Sequence, residues 1–200
     1  MISKTKTLLF AFFAAILFSF TTQAQDSGMW MLDKDHTSVN FSINHFFSEV
    51  KGDFTDFDGS FQLDPKNVAG GEISFTIKVN SINTENSKRD THLKSPDFFD
   101  AKTYPEITFA STQLEPTSKN DFLAHGNLTM RGETKKVILP FKITGEMEHP
   151  MMKGTMILGL ELNTTLNRTD YKIGTGSWST TMVVGDEVKI NIPMELNQQK

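Results

Sequence analysis

From residue 29 onward the chain alternates between apolar and polar positions. Val39, Phe41, Ile43 and His45 interleave with Ser38, Asn40, Ser42 and Asn44, and Ile73, Phe75, Ile77 and Val79 with Ser74, Thr76, Lys78 and Asn80. A period of two marks strands with one buried face. It returns in Phe122 to Met130, in Val137 to Ile143, in Met156 to Leu162 and in Val188 to Leu196. Shorter strands are expected at residues 29–33 and 107–111, with a looser aromatic run at Phe54, Phe57 and Phe61. Turn residues punctuate the runs at Asp64-Pro65-Lys66-Asn67 and at Arg131-Gly132-Glu133. The spacing predicts about eight strands, eight or nine in all, in an antiparallel sandwich or barrel, an all-β fold. Pro140 and Pro193 fall inside strands, where proline is confined to edges and bulges, so imperfect closure is expected there.

One stretch, residues 87–100, breaks the rhythm. Arg89, Asp90, His92 and Lys94 place mixed charge on a helical turn, and Ser95-Pro96 offers a second start, with Ser as N-cap and Pro at the first helical position. Phe98 and Phe99 are too large for so short a helix to bury alone. A helical plug set on a β structure, near residues 86–100, follows.

An eight-stranded barrel is either just filled by its side chains or wide enough for one small ligand. Ala124, Gly126 and Ser111 leave volume, and Met130, Met156 and Met194 adapt to irregular shapes. A wall of Phe, Ile, Leu and Met suits an alkyl or isoprenoid chain and would strip polar ligands of water without replacing its hydrogen bonds. The pattern is equally consistent with a solid core.

Composition narrows the setting. Lys4 and Lys6 precede a 13-residue apolar run from Leu8 to Phe20, and Thr22-Gln23-Ala24 resembles a cleavage site. The run is shorter than the ~20 residues of a membrane span. Cleavage after Ala24 is expected: residues 1–24 are a signal peptide, 25–200 the mature domain, and the product is periplasmic or secreted, without a stable membrane anchor. Losing the two lysines takes the net charge from −4 to −6. That balance argues against a nucleic-acid partner. With no cysteine among 200 residues, disulfides, thiol catalysis and a lipidated N-terminal cysteine are excluded.

Candidate chemistry is sparse. His36, His45, His92, His125 and His149 show no metal-ligand spacing, so neither a metal nor a cofactor is expected. His45 shares the apolar parity of Phe41 and Ile43, and reads either as a structural histidine or as a head-group contact at a cavity mouth. Arg89-Asp90 reads as a local ion pair tying down the plug, or Arg89 meets an anionic head group; Arg168-Thr169-Asp170 carries the same ambiguity. Ser177 and Ser179 lack a nucleophile-elbow context.

Several segments resemble the YceI-like family: Leu32-Asp33-Lys34-Asp35-His36-Thr37-Ser38-Val39-Asn40-Phe41, Asn44-His45, Gly52-Asp53-Phe54 and Phe57-Asp58-Gly59. Arg89-Asp90-Thr91-His92-Leu93 and Asp97-Phe98-Phe99-Asp100 do so too, with Tyr104-Pro105-Glu106-Ile107-Thr108-Phe109, Gly126 to Gly132, and Asp186-Glu187-Val188. The matches run in order over about residues 30 to 196. The resemblance implies an extended lipocalin-like barrel of eight strands whose hydrophobic tunnel binds a polyisoprenoid or other long-chain lipid, without catalysis. It favours a tunnel over a solid core; the alternative is a solid-core envelope or stress-response protein with no small ligand. A homodimer is left open. One departure stands out: after Arg168 many relatives run Asp-Phe-Gly, whereas this chain has Asp170-Tyr171-Lys172-Ile173-Gly174.

On this reading the ligand-binding candidates on the early strands are Phe41, Ile43, His45, Phe54, Phe75 and Ile77. The plug and middle strands add Phe98, Phe99, Phe109, Gly126, Leu128 and Met130, and the late strands Leu158, Leu160 and Arg168.

Overall fold

The computed structural model describes residues 28–174, 176–179 and 182–199. The expected leader, residues 1–24, lies outside them. Eleven strands occur among the described residues: β1 Met29–Asp33, β2 Val39–His45, β3 Ser48–Phe54, β4 Phe57–Gln62, β5 Glu72–Lys78, β6 Ile82–Asn83, β7 Glu106–Pro116, β8 Asp121–Met130, β9 Glu133–Glu148, β10 Thr155–Asn167 and β11 Val184–Gln199. One α-helix, α1 Ser87–Leu93, interrupts them.

Three pairs act as single bent staves. β1 and β2 both pair with β11, β3 pairs with β2 as β4 does with β1, and β6 extends the line of β5. The order then runs through β7, β8, β9, β10 and β11, which returns to β1, so an eight-staved antiparallel barrel closes on itself. Closure removes free edges, the usual weakness of a sheet.

The two strand prolines fit a closed wall. Pro193 pairs with Glu161 of β10, but on its other side it falls between the β1 and β2 segments of the β11 ladder. Its missing N–H faces that break. There the Ser38 N–H donates to the Pro193 carbonyl (3.2 Å), and the Glu195 N–H to Thr37 Oγ1 (3.2 Å). Pro140 stands one residue beyond the last β9–β10 pair, Phe141 with Leu162. Each proline occupies a gap in one ladder, and the barrel closes around both.

The strands place α1, the β2–β3 and β8–β9 turns and the short helical turns Arg168–Tyr171 and Gly176–Ser179 at one end, here the upper end. The lower end is solid. Trp30, Phe61, Leu63, Leu114, Leu158, Leu160 and Leu196 are each at most 2% exposed, and the Trp30 indole N–H donates to the Leu63 carbonyl (3.0 Å).

The helix lies where the mixed-charge turn was expected, capped by Asn86, whose side chain accepts from the Arg89 N–H at 3.0 Å; the second helical start expected at Ser95-Pro96 does not form. Ser95-Pro96 forms a turn instead, closed by the Phe98 N–H on the Ser95 carbonyl (3.0 Å). Phe98 and Phe99 dock as expected, Phe98 near Trp178 and Phe99 edge-on to Phe54 at 6.0 Å.

Candidate ligand cavity

Above the packed lower end the barrel is hollow. The cavity has a volume of about 220 Å³, against roughly 10–15 Å³ for a single water. Phe41, Ile43, Phe54, Phe75, Ile77 and Phe109 line one side; Leu128, Met130, Leu139, Phe141, Leu162, Val188 and Ile190 line the other. Leu93, Phe98, Phe99, Arg168 and Ile173 border its upper part. The surface facing the space is apolar throughout, so it accepts hydrocarbon and offers a polar ligand nothing in exchange for water.

Of the expected contacts, Phe41, Ile43, Phe54, Phe75, Ile77, Phe98, Phe99, Phe109, Leu128, Met130 and Arg168 border this one space. Four do not. His45 is exposed on the rim, its ring edge-on to Phe46 at 4.7 Å, because a register shift between Val184 and Val188 breaks the β2–β11 ladder just before it. Leu158 and Leu160 have the inward parity of Leu162 but lie lower, in the solid core. Gly126 faces inward, yet the Phe109 ring already occupies its place: a Cβ there would lie 2.5 Å from both Phe109 Cε2 and the Ala110 carbonyl oxygen. Among lining residues outside the candidate set, Leu139, Phe141, Val188 and Ile190 were legible from their strand parity. Ile173 lies in irregular chain and carries no periodic signal.

Two polar clasps hold the upper end. Arg168 directly follows β10, opening a 3-10 turn, and is 4% exposed. Its Nε donates to the Gly185 carbonyl (2.8 Å), Nη1 to those of Ile173 (2.8 Å) and Gly174 (3.2 Å), and Nη2 to those of Trp178 (2.9 Å) and Val184 (3.0 Å). All five guanidinium N–H groups are therefore engaged by main-chain carbonyls. Asp186 Oδ1 lies 3.2 Å from Nη2 as counter-charge, at an angle that makes no hydrogen bond. Burial pulls the Arg168 pKa below its ordinary value, and the Asp186 charge partly restores it. Gly174 adopts φ +77°, and a Cβ there would lie 2.2 Å from Nη1, so the extended Asp170–Gly174 segment ends on the glycine that the clasp needs.

The second clasp is Thr84, buried beneath α1. Arg89 and Asp90 are not an ion pair with each other. Arg89 donates from Nε to Thr84 Oγ1 (2.7 Å) and from Nη2 to the Thr84 carbonyl (2.6 Å), while Asp90 Oδ1 accepts from the Thr84 N–H (3.0 Å) and hydroxyl. His92 binds Asp97 Oδ2 through Nε2 (3.1 Å) and stands edge-on to Phe98 and Trp178, each at 5.0 Å.

Outside the cavity, Asp33, His36 and Glu195 form the one grouping of three metal-competent side chains found among the described residues. Its core is a hydrogen-bonded turn: Asp33 Oδ2 meets His36 Nδ1 at 3.0 Å, and Oδ1 accepts from the N–H groups of Asp35 and His36. No helix among the described residues is long and apolar enough to cross a membrane.

Comparison with known proteins agrees with this architecture. A UPF0312 protein of Enterobacter sp. (strain 638) is 36% identical over 184 residues, 90% of this chain and 92% of its own. Protein YceI of Salmonella agona is 35% identical over 198 residues, 98% and 99% of the two chains. Among solved structures, BcnA of Burkholderia cenocepacia superposes with a TM-score of 0.73 at 27% identity, covering 82% of this chain and 98% of that one. The YceI protein of Campylobacter jejuni gives 0.69 at 33%, covering 77% and 88%. A polyisoprenoid binding domain from Saccharophagus degradans shares the fold at 0.60 and 14% identity, covering 86% and 98%. The YceI-like domain matches residues 30–196, and the chain belongs to the YceI-like family.

Proposed function

We propose that this protein is an exported, non-catalytic carrier that shelters the tail of a polyisoprenoid or other long-chain amphiphile inside its barrel, with no cofactor. The observation that carries the reading is the apolar cavity within the barrel, whose wall offers a tail carbon hydrocarbon contacts and no hydrogen bonds. Burial of each methylene contributes roughly 0.8 kcal/mol, so a chain of ten carbons gains several kcal/mol after the cost of ordering it. The fold shared with a domain described as polyisoprenoid binding supports the same class of ligand. Export is supported by the basic and apolar pattern of residues 1–24. The guanidinium of Arg168 serves as a structural clasp here, since its donors are taken, and the head group stays near the upper rim.

Native mass spectrometry of protein purified from its own host tests the reading. A retained adduct with the mass of a long-chain lipid, released by organic extraction, is the expected result. Protein that remains empty after incubation with a graded series of isoprenols and fatty acids would refute it.

A further inference from the structure

The upper rim carries a feature that folding alone does not require. β2 and β3 are joined by a two-residue turn, Phe46-Phe47, closing on the pair His45 and Ser48. Phe46 has φ +49°, and Phe47 does not share the positive φ. Positive φ at the first central position alone is the II′ pattern, whose natural occupant is glycine. A phenylalanine there is strained, and burial does not offset the strain: Phe46 is 58% exposed and Phe47 wholly so. Met182, 85% exposed, is one residue along the chain from Val183, whose carbonyl accepts from the Phe46 N–H (3.0 Å). The tip is continuous with the cavity wall, because Ile43 and Val184, which both line the cavity, flank it on either side.

We propose that this tip is a membrane-contact finger that enters the interfacial layer of a zwitterionic bilayer, from which the cavity takes or returns its lipid; the proposal rests on the carrier reading above. Area argues against a protein partner. Two phenyl rings bring roughly 150–250 Å² each, and with Met182 the tip stays under the about 800 Å² that each side of a stable protein interface buries. Charge argues against an anionic surface. The chain is acidic overall, at −4, and on the same rim Lys172 is paired with Glu133 while Arg131 is held by the Pro96 carbonyl. Lys88, Lys94 and Lys102, on and after α1, alternate with Asp90, Asp97 and Asp100, so the rim carries mixed charge and not a basic face that would hold acidic head groups. Apolar side chains on a narrow projection, without a cationic collar, suit a neutral interface.

The test is the double substitution Phe46→Gly, Phe47→Ser, which supplies the residue types that this turn favours and so preserves or raises the melting temperature. Both proteins are purified from an exporting host with the N-terminus fixed by intact mass, because an uncleaved apolar leader would bind vesicles by itself. Flotation with phosphatidylcholine vesicles is the readout. The wild type is expected to float with the vesicles, little affected by salt, and the variant to partition at least about tenfold more weakly. Equal flotation of the two proteins overturns the proposal. So does association that requires anionic lipid and vanishes in salt, or a wild-type dimer in sedimentation that the variant lacks. Loading with a long-chain alcohol from detergent micelles separates the two ideas. Equal loading with unequal flotation is the expected outcome; a failure of both proteins to load overturns the carrier reading, whereas normal loading without flotation overturns the finger alone.

Discussion

Replacing Arg168 with methionine removes the guanidinium while keeping the length and much of the volume of its stem. Five carbonyls, those of Gly185, Ile173, Gly174, Trp178 and Val184, then lose their donors at once, and Asp186 loses its counter-charge. Hydrogen bonds to a charged group contribute about 1.5–3 kcal/mol each, but adding five such values would exceed the whole stability of many domains. Carbonyls at the rim recover water once the clasp opens. The better guide is the loss on removing one partner from a buried charged pair, about 3–5 kcal/mol. For a domain of this size that corresponds to a fall in melting temperature of roughly 6–20 °C. Urea unfolding followed through the fluorescence of Trp30 and Trp178 measures it, provided the m-value stays constant. Arg168→Lys, with three donors for five acceptors, should fall between methionine and the parent. Adding Asp186→Asn to the methionine variant should recover part of the loss, by removing the uncompensated carboxylate. A methionine variant within about 1 kcal/mol of the parent would show that the carbonyls are satisfied without Arg168 and that the clasp is incidental.

Other parts of the molecule give sharper local expectations. His36 is held protonated above its ordinary pKa of 6.5 by its hydrogen bond to Asp33. Its contribution to stability is therefore full below pH 6.5 and lost as pH rises through the higher folded value. Unfolding curves across neutral pH should show this slope, and His36→Gln should flatten it. The same bond lowers the Asp33 pKa below 3.8, so the carboxylate's contribution survives mild acid and fails only as pH drops through its lower folded value, which an NMR titration would locate. Gly126→Ala should destabilise by about 1–3 kcal/mol in denaturant titration, through overlap with Phe109 and Ala110, and an unchanged midpoint would refute the close approach. Trp30→Phe should cost about 1–3 kcal/mol in the same assay, because the buried Leu63 carbonyl loses its donor.

The strands were readable from the sequence because alternation is a local signal: inward faces from Phe41 through Met194 follow from parity alone. Parity gives the face of a strand but not the height along it. Leu158, Leu160 and Leu162 look identical in sequence, yet the first two help fill the lower core and the third borders the cavity. It also gives no warning of a neighbour from another strand, which is why Gly126 read as empty space although Phe109 fills it. The plug and its first helical turn were legible as an interruption; the failure of the second start was not, because Ser95-Pro96 is a good helix opening in sequence yet closes into a turn through the Phe98 N–H. Arg168 stands out as a charge at the end of an apolar strand. Its five acceptors come from positions 173 to 185, and no local pattern announces them.

The solid lower end has a geometric consequence. With Leu158 and Leu196 completely buried, the hollow part of the barrel behaves as a blind well rather than a pipe. A blind well measures what it receives: an occupant can advance only until its far end touches bottom, and any surplus length must remain outside. Moving that stopping point by trimming Leu158 or Leu160 would alter which chain length sits flush with the rim, making depth, rather than any polar contact, the dimension along which such a vessel discriminates.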